Sequence, residues 1–200
     1  CIDAEFFLDF APIIENPEVT LVGWNMKYAA HIAFNCGINI WNCGQVWDGL
    51  VMSKLHDENR MESRLKKCAA HYVGLQLTEF RQLIDKAASG KKAKEFETPL
   101  SELDRDLVVD YASYDAYATL KCVEWLHEKL FNTKIGSKRN LMDHYLETEV
   151  FYTEVLWRME RRGLHLDKAH LDHMRTSIEE DIESKTKEIY RQVGAVINLN

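Results

Sequence analysis

Apolar residues recur at three- and four-residue spacing from Asp104 to about Asn132: Leu107, Val108, Tyr111, Ala118, Cys122, Trp125, Leu126 and Leu130. That spacing predicts a helix with one buried face. Tyr111 and Asp115 lie four residues apart on it, so both side chains leave the helix on one side. A phenol and a carboxylate on such a stripe have two readings. One is a hydrogen-bonded core tyrosine with a solvated aspartate at the stripe's edge. The other is a metal ligand beside a group that orients water.

Shorter patterns precede this helix. Residues 4–15 read as a helix burying Phe6, Phe7, Phe10, Ile13 and Ile14, stopped before Pro17. Val19 to Trp24 is a short apolar run and reads as a buried strand. Asn25 is placed to cap a helix reaching about Asn35, with Gly37 closing it. Ile38 to Trp41 is a second strand candidate, and Asp48 opens a helix through about His56. Helices are predicted over 62–73 and 77–88, then a loop, Ser89-Gly90-Lys91-Lys92-Ala93-Lys94, ended by Thr98-Pro99.

Beyond the Asp104 helix, 133–138 is a polar connector containing Gly136. A long helix follows over Arg139–Arg162, with Leu141, Tyr145, Thr148, Tyr152, Val155, Leu156 and Met159 on one side. Gly163 breaks it, and Leu164-His165-Leu166 forms an extended link. Asp167 caps a last helix to about Val193, which reads as polar nearly all round. Strand, helix, strand, then helices is the pattern of an α/β domain missing its first strands.

Composition narrows the classes. A chain of 200 residues with 46% hydrophobic and 28% charged content is that of an ordinary globular protein of one or two domains. It contains no apolar run of membrane-spanning length, so no membrane partner is expected. It does not begin with Met and ends Val-Ile-Asn-Leu-Asn, so a piece of a longer protein is expected. The five cysteines (Cys1, Cys36, Cys43, Cys68 and Cys122) are odd in number and form no Cys-x-x-Cys pair. That argues against a disulfide framework or a structural zinc site. A reducing cytoplasmic compartment, bacterial or phage-infected, is the expected setting. His165, His170 and His173 lack a completing Cys or carboxylate and flank a helix start instead. The net charge of −7 disfavours a broad grip on phosphates but leaves room for carboxylates that hold cations against a phosphate.

Three stretches carry a family resemblance. Val22-Gly23-Trp24-Asn25-Met26-Lys27-Tyr28-Ala29 resembles the second motif of the DnaQ-like 3′→5′ exonucleases, Gly-x-Asn-x-Lys-Tyr/Phe-Asp after a strand. Tyr111-Ala112-Ser113-Tyr114-Asp115 resembles the third, Tyr-x-x-x-Asp on a helix, and Asp48 stands where that family opens its next helix with Asp. The third stretch is Glu147-Thr148-Glu149, Met159 through Asp167, and Asn198-Leu199-Asn200. It is similar to the passage from exonuclease domain into thumb in the family A, polymerase I-like DNA polymerases.

The resemblance implies an RNase H-like (DnaQ-like) exonuclease domain, lacking its first strands, over 1–133. The start of a polymerase domain, with long thumb helices, would occupy 138–200. It implies Mg²⁺ or Mn²⁺ as cofactor, with two cations clamping the scissile phosphate. Asp115 would be a metal ligand, and Tyr111 would orient the attacking water. Asn25, Lys27 and Tyr28 would lie beside the terminal nucleotide, with Arg60 reaching the bound strand. Primer–template DNA, deoxynucleotides and replisome proteins would be the partners of the parent polymerase.

Two departures change the expected activity. Ala29 stands where the family has a metal-binding Asp, and a methyl group cannot coordinate Mg²⁺. Only 28 residues precede Ala29, and Asp3-Ala4-Glu5 precedes a helix, so the family's first motif, Asp-x-Glu on a strand, is not found. Of the expected carboxylates only Asp115 is visible, so the chain as written is not expected to hydrolyse DNA. Ala for Asp is both what an experimenter would introduce to abolish proofreading and what natural loss would leave. Other readings are a stand-alone DnaQ-like or RNase D-like exonuclease and a catalytically dead nucleic-acid-binding scaffold.

Overall fold

The computed structural model describes residues 4–80, 82, 84 and 103–196. The chain divides into two compact units, Cys1–Arg161 and Arg162–Asn200.

The first unit opens with a 3-10 helix, Ala4–Phe10, running into α1 (Ala11–Ile14). The expected burial of this segment is largely not realised. Phe6, Phe10 and Ile13 are exposed, and Phe7, Ala11 and Ile14 are what lie against the core. A 3-10 helix turns every three residues, so apolar positions spaced for an α-helix do not collect on one face.

β1 (Thr20–Gly23) pairs in parallel with β2 (Gln45–Asp48), Thr20 opposite Gln45 and Gly23 opposite Asp48. Parallel neighbours need a crossover, and α2 (Met26–Asn35) supplies it. The strand expected at Ile38–Trp41 is instead a 3-10 turn, Ile40–Asn42. Ile38 and Ile40 are buried, as their apolarity suggested, but the backbone between them is held as a turn. The Asn39 side chain accepts from Trp41 N at 3.2 Å, and Glu15 Oε1 accepts from Asn39 N at 2.6 Å. Local side-chain acceptors here outcompete a ladder.

α3 (Gly49–His56) and α4 (Leu65–Tyr72) follow, and both pack on α5 (Arg105–Asn132). Asp104 caps α5 by accepting from Asp106 N and Leu107 N. The buried stripe of α5 follows the predicted one from Ala118 onward, with Ala118, Cys122, Leu126 and Leu130 fully enclosed and Val123 joining them, whereas Leu107, Val108, Tyr111 and Trp125 are only half-buried. Each such leucine contributes roughly 1.5–3 kcal/mol by leaving water. The helix expected over 77–88 and the loop after it fall mostly outside the described residues.

The 133–138 connector is the turn of a small hairpin, β3 (Lys134–Ile135) with β4 (Arg139–Asn140). Asn140 and Asp143 then form a reciprocal capping box on α6 (Leu141–His144). A π-helical turn, Tyr145–Glu149, joins α6 to α7 (Val150–Arg162). That turn breaks the single stripe expected over Arg139–Arg162. Met142, Tyr145 and Trp157 are buried, whereas Tyr152 and Met159 are exposed. A wider turn carries an extra residue and rotates every later side chain off the face predicted for an unbroken helix.

In the second unit, Asp167 caps α8 (Lys168–Val193) by accepting from His170 N at 3.0 Å. Gly163, at φ 72°, takes the left-handed conformation that ends the preceding helix. No residue of α8 is buried. It is less uniformly polar than expected: Leu171, Met174, Ile178, Ile182, Ile189 and Val193 follow one helical face.

Candidate functional site

The Tyr111–Asp115 pair is positioned by α5 and completed by α4. Burying Ala118 and Cys122 against Ala69 of α4 turns the neighbouring turn of α5, with Tyr111 and Asp115, toward the start of α4. Lys66 there donates from Nζ to Tyr111 Oη at 2.8 Å, with Nζ 4.4 Å from the ring centroid. The same ammonium donates to the Thr78 carbonyl. Two adjoining clefts open at this point. One, of about 480 Å³, is lined by Leu77, Thr78, Leu107, Asp110, Tyr111, Ser113, Tyr114 and Asp115. The other, of about 230 Å³, is lined by Arg64, Leu65, Lys66, Lys67, Glu79, Phe80, Tyr111 and Asp115. Tyr111 and Asp115 belong to both walls.

Asp115 is half-buried, and loss of water around it pushes its carboxyl pKa above the usual range. The Lys66 charge and the Tyr111 hydroxyl pull it back, and Glu79 adds to the rise.

The second motif is built differently. Asn25 has φ 64° and makes no side-chain capping bond, contrary to its expected role. The cap comes from Asp48 at the end of β2. Its Oδ1 accepts from Asn25 N at 2.9 Å and from Leu50 N at 2.9 Å, and its Oδ2 accepts from Met26 N at 2.8 Å. A carboxylate with two acceptor atoms serves both helix starts at once, which the amide of Asn25 in the left-handed conformation does not do. Asp48 N in turn donates to Tyr145 Oη at 2.7 Å, and Tyr145 Oη donates to Val46 O at 3.1 Å. Burial pushes the Asp48 pKa up despite these backbone donors, and burial pushes the Tyr145 phenol up as well.

On α2, Asn25, Tyr28 and Ala29 are exposed. Lys27 pairs with Glu160 of α7 at 2.6 Å, and His31 Nε2 lies 2.9 Å from the same carboxylate. Arg60 donates to the carbonyls of Glu62 and Lys67 at 2.8 and 3.2 Å and lies over the Tyr72 ring. Its guanidinium thus ties the loop after α3 to α4. The structure therefore brings Tyr111 and Asp115 together, while the polar bonds of Lys27 and Arg60 go to other partners.

The described residues around Asp115 do not by themselves make a divalent-metal centre. Among the described residues no group of three or more His, Cys, Asp or Glu is arranged to hold a metal ion. Asp115 has an ammonium, not further carboxylates, as its strongest charged neighbour. Two-cation catalysis needs several oxygen ligands converging on each ion. Lys66 and Thr78 are the functional candidates that sequence reasoning missed. Lys66 lies 45 residues from Tyr111, and no periodicity links segments so far apart.

Comparison with known proteins gives a consistent answer. DNA polymerase I B, mitochondrial, of Oryza sativa subsp. japonica is 27% identical over 194 residues, covering 85% of this chain and 19% of the relative. DNA polymerase I of Chloroflexus aurantiacus is 27% identical over 191 residues, covering 95% of this chain and 19% of the relative. This chain is related to the family A, polymerase I-like DNA polymerases. DNA polymerase I of Borreliella burgdorferi is similar at 24% identity over 92% of the chain and 18% of its own length. The chain thus spans about a fifth of the length of these polymerase relatives. No family model matches it. Among the described residues no helix is long and apolar enough to cross a membrane.

Proposed function

We propose that this chain is the part of a family A DNA polymerase that carries a silenced 3′→5′ exonuclease-like domain and the first helices of the polymerase region. The whole protein extends primers on a DNA template with deoxynucleotides and divalent cations in DNA replication. The exonuclease-like domain is RNase H-like and corresponds to 1–133, and the thumb begins within 138–200. The observation that carries this reading is the Tyr111–Asp115 pair on one helix, opening into a nucleotide-sized cleft. It lies in a chain related to DNA polymerase I along most of its length. Loss of proofreading is supported by the methyl group of Ala29, which cannot coordinate a cation.

The test is a primer assay with the longest polypeptide the gene encodes, Mg²⁺, deoxynucleotides and either a matched or a mismatched 3′ end. The expected result is extension of the matched primer, with no shortening of the mismatched one. Failure to extend the matched primer would contradict the polymerase assignment. Trimming by the unmodified protein would contradict the silenced nuclease.

A further inference from the structure

Tyr145 and Trp157 lie twelve residues apart, and both are buried, at 1% and 5% exposed. At about 100° per residue, an unbroken α-helix would set them about 120° apart around its axis. The wide turn Tyr145–Glu149 removes that offset. Val150 N donates to Tyr145 O, five residues back. One residue is thereby taken up in the turn, and eleven ordinary steps bring Trp157 to within about 20° of Tyr145. Val150 packs against both core clusters, the one that holds Tyr145 and the one that holds Trp157.

Both side chains seat on the nuclease-like domain. Tyr145 Oη joins Val46 O and Asp48 N of β2, as a neighbouring strand would. Trp157 sits among His31, Phe34 and Trp41, with ring centroids 6.1, 5.3 and 6.0 Å away. Beside it Arg161 donates to Asn35 Oδ1 at 2.7 Å and lies over the Phe34 ring. Burial of the indole, rather than the exposed Lys27–Glu160 pair, carries this attachment. The first compact unit ends at Arg161, and Gly163 just beyond has φ 72°. We propose that α7 is locked to β2 and α2 in the register that the wide turn sets, and that the nuclease-like domain, its own chemistry silenced, serves as the fixed base from which the second unit departs. The domain thereby keeps a mechanical role in polymerisation. That role rests on the polymerase reading above, whereas the register does not.

The test applies amide hydrogen exchange and primer extension to variants of the longest polypeptide the gene encodes. One carries an Ala inserted between Phe151 and Tyr152, which are both exposed. The extra residue turns Trp157 about 100° off its seat, so exchange over 155–162 is expected to rise about tenfold while α5 is unchanged. A second lacks the exposed Thr148. That deletion returns the wide turn to ordinary helix and keeps Tyr145 and Trp157 aligned, so exchange is expected to stay within about twofold. In primer extension, the insertion and Trp157→Ala are each expected to cut the nucleotides added per binding event about fivefold, with single-nucleotide incorporation within about twofold of the unmutated protein. Trp157→Phe and the Thr148 deletion are expected to keep both quantities. A residue that served stability alone would lower both together or neither. Unchanged exchange in the insertion variant, a Thr148 deletion as damaging as the insertion, or an equal loss of incorporation and of nucleotides per binding event would each overturn the proposal. So would a rise in exchange shared by α5, because a fixed base must hold without α7 seated. Absence of extension by the unmutated protein sinks the polymerase reading, and the exchange results still decide the register.

Discussion

Asp48 and Asp115 are both carboxylates withdrawn from water, and burial raises the pKa of each. They differ in where their oxygens point. Asp48 is 3% exposed and accepts from three backbone amides, closing the ends of β1 and β2 onto α2 and α3. Asp115 is half-buried, lines two clefts, and has Lys66 as its strongest compensating charge. A raised pKa alone therefore does not separate a structural acid from a functional one. The destination of the lone pairs does.

That contrast predicts opposite mutational outcomes. Asp48→Ala leaves three amides without their acceptor and removes the cap of α3, so it is expected to cost about 3 kcal/mol in urea unfolding. Asp115→Ala is expected to stay within about 0.5 kcal/mol of the unmutated chain. Comparable losses at the two positions would erase the distinction. Gly49, next to Asp48, sharpens it. A Cβ there would press into the Trp24 ring and lie 2.9 Å from Val123 Cγ2. Gly49→Ala is expected to cost about 2 kcal/mol by overpacking, read as a lowered urea midpoint. Tyr145→Phe keeps the ring but leaves Asp48 N and Val46 O unpartnered, for about 1.5 kcal/mol.

Two smaller effects concern groups away from both carboxylates. His56 lies edge-on to Trp125 at 5.2 Å, and burial lowers its pKa, with Asp57 opposing and Lys129 and His71 adding to the fall. A base whose folded pKa is depressed favours the fold in its neutral form. Its contribution is complete above the unfolded value near 6.5 and is lost as pH falls through that value toward the folded one. Melting followed from pH 7.5 to 5 should therefore show a drop that His56→Phe reduces. Lys27 and Glu160 form an exposed pair, and a double-mutant cycle on them is expected to give less than about 1 kcal/mol. A much larger coupling would make α2 and α7 a rigid clamp.

Elements carried by one dominant interaction were legible in the sequence. The α5 stripe from Leu107 to Leu130 repeats often enough that burial alone fixes it. β1, α3 opened by Asp48, and the cap at Asp167 were equally readable from local chemistry. Failures came where a distant or subtle partner decided the outcome. Ile38–Trp41 looked like a strand, but Glu15 and the Asn39 side chain hold that backbone as a turn. A π turn at Tyr145 rotated the face of α7, and nothing in the spacing of Leu156 and Met159 announces it. In the candidate site, Tyr111 and Asp115 were readable because one helix carries both. Lys66 was not, because only the packing of α4 on α5 brings it there.

On the proposed function, Tyr111 and Asp115 line a nuclease-like cleft that has lost its metal chemistry. The most direct test incubates the chain with a labelled single-stranded oligonucleotide in Mg²⁺ and then Mn²⁺, and measures oligonucleotide length on a denaturing gel. The oligonucleotide is expected to stay intact in both ions. Shortening that depends on the ion and disappears in Asp115→Asn would show a working two-metal centre and contradict it.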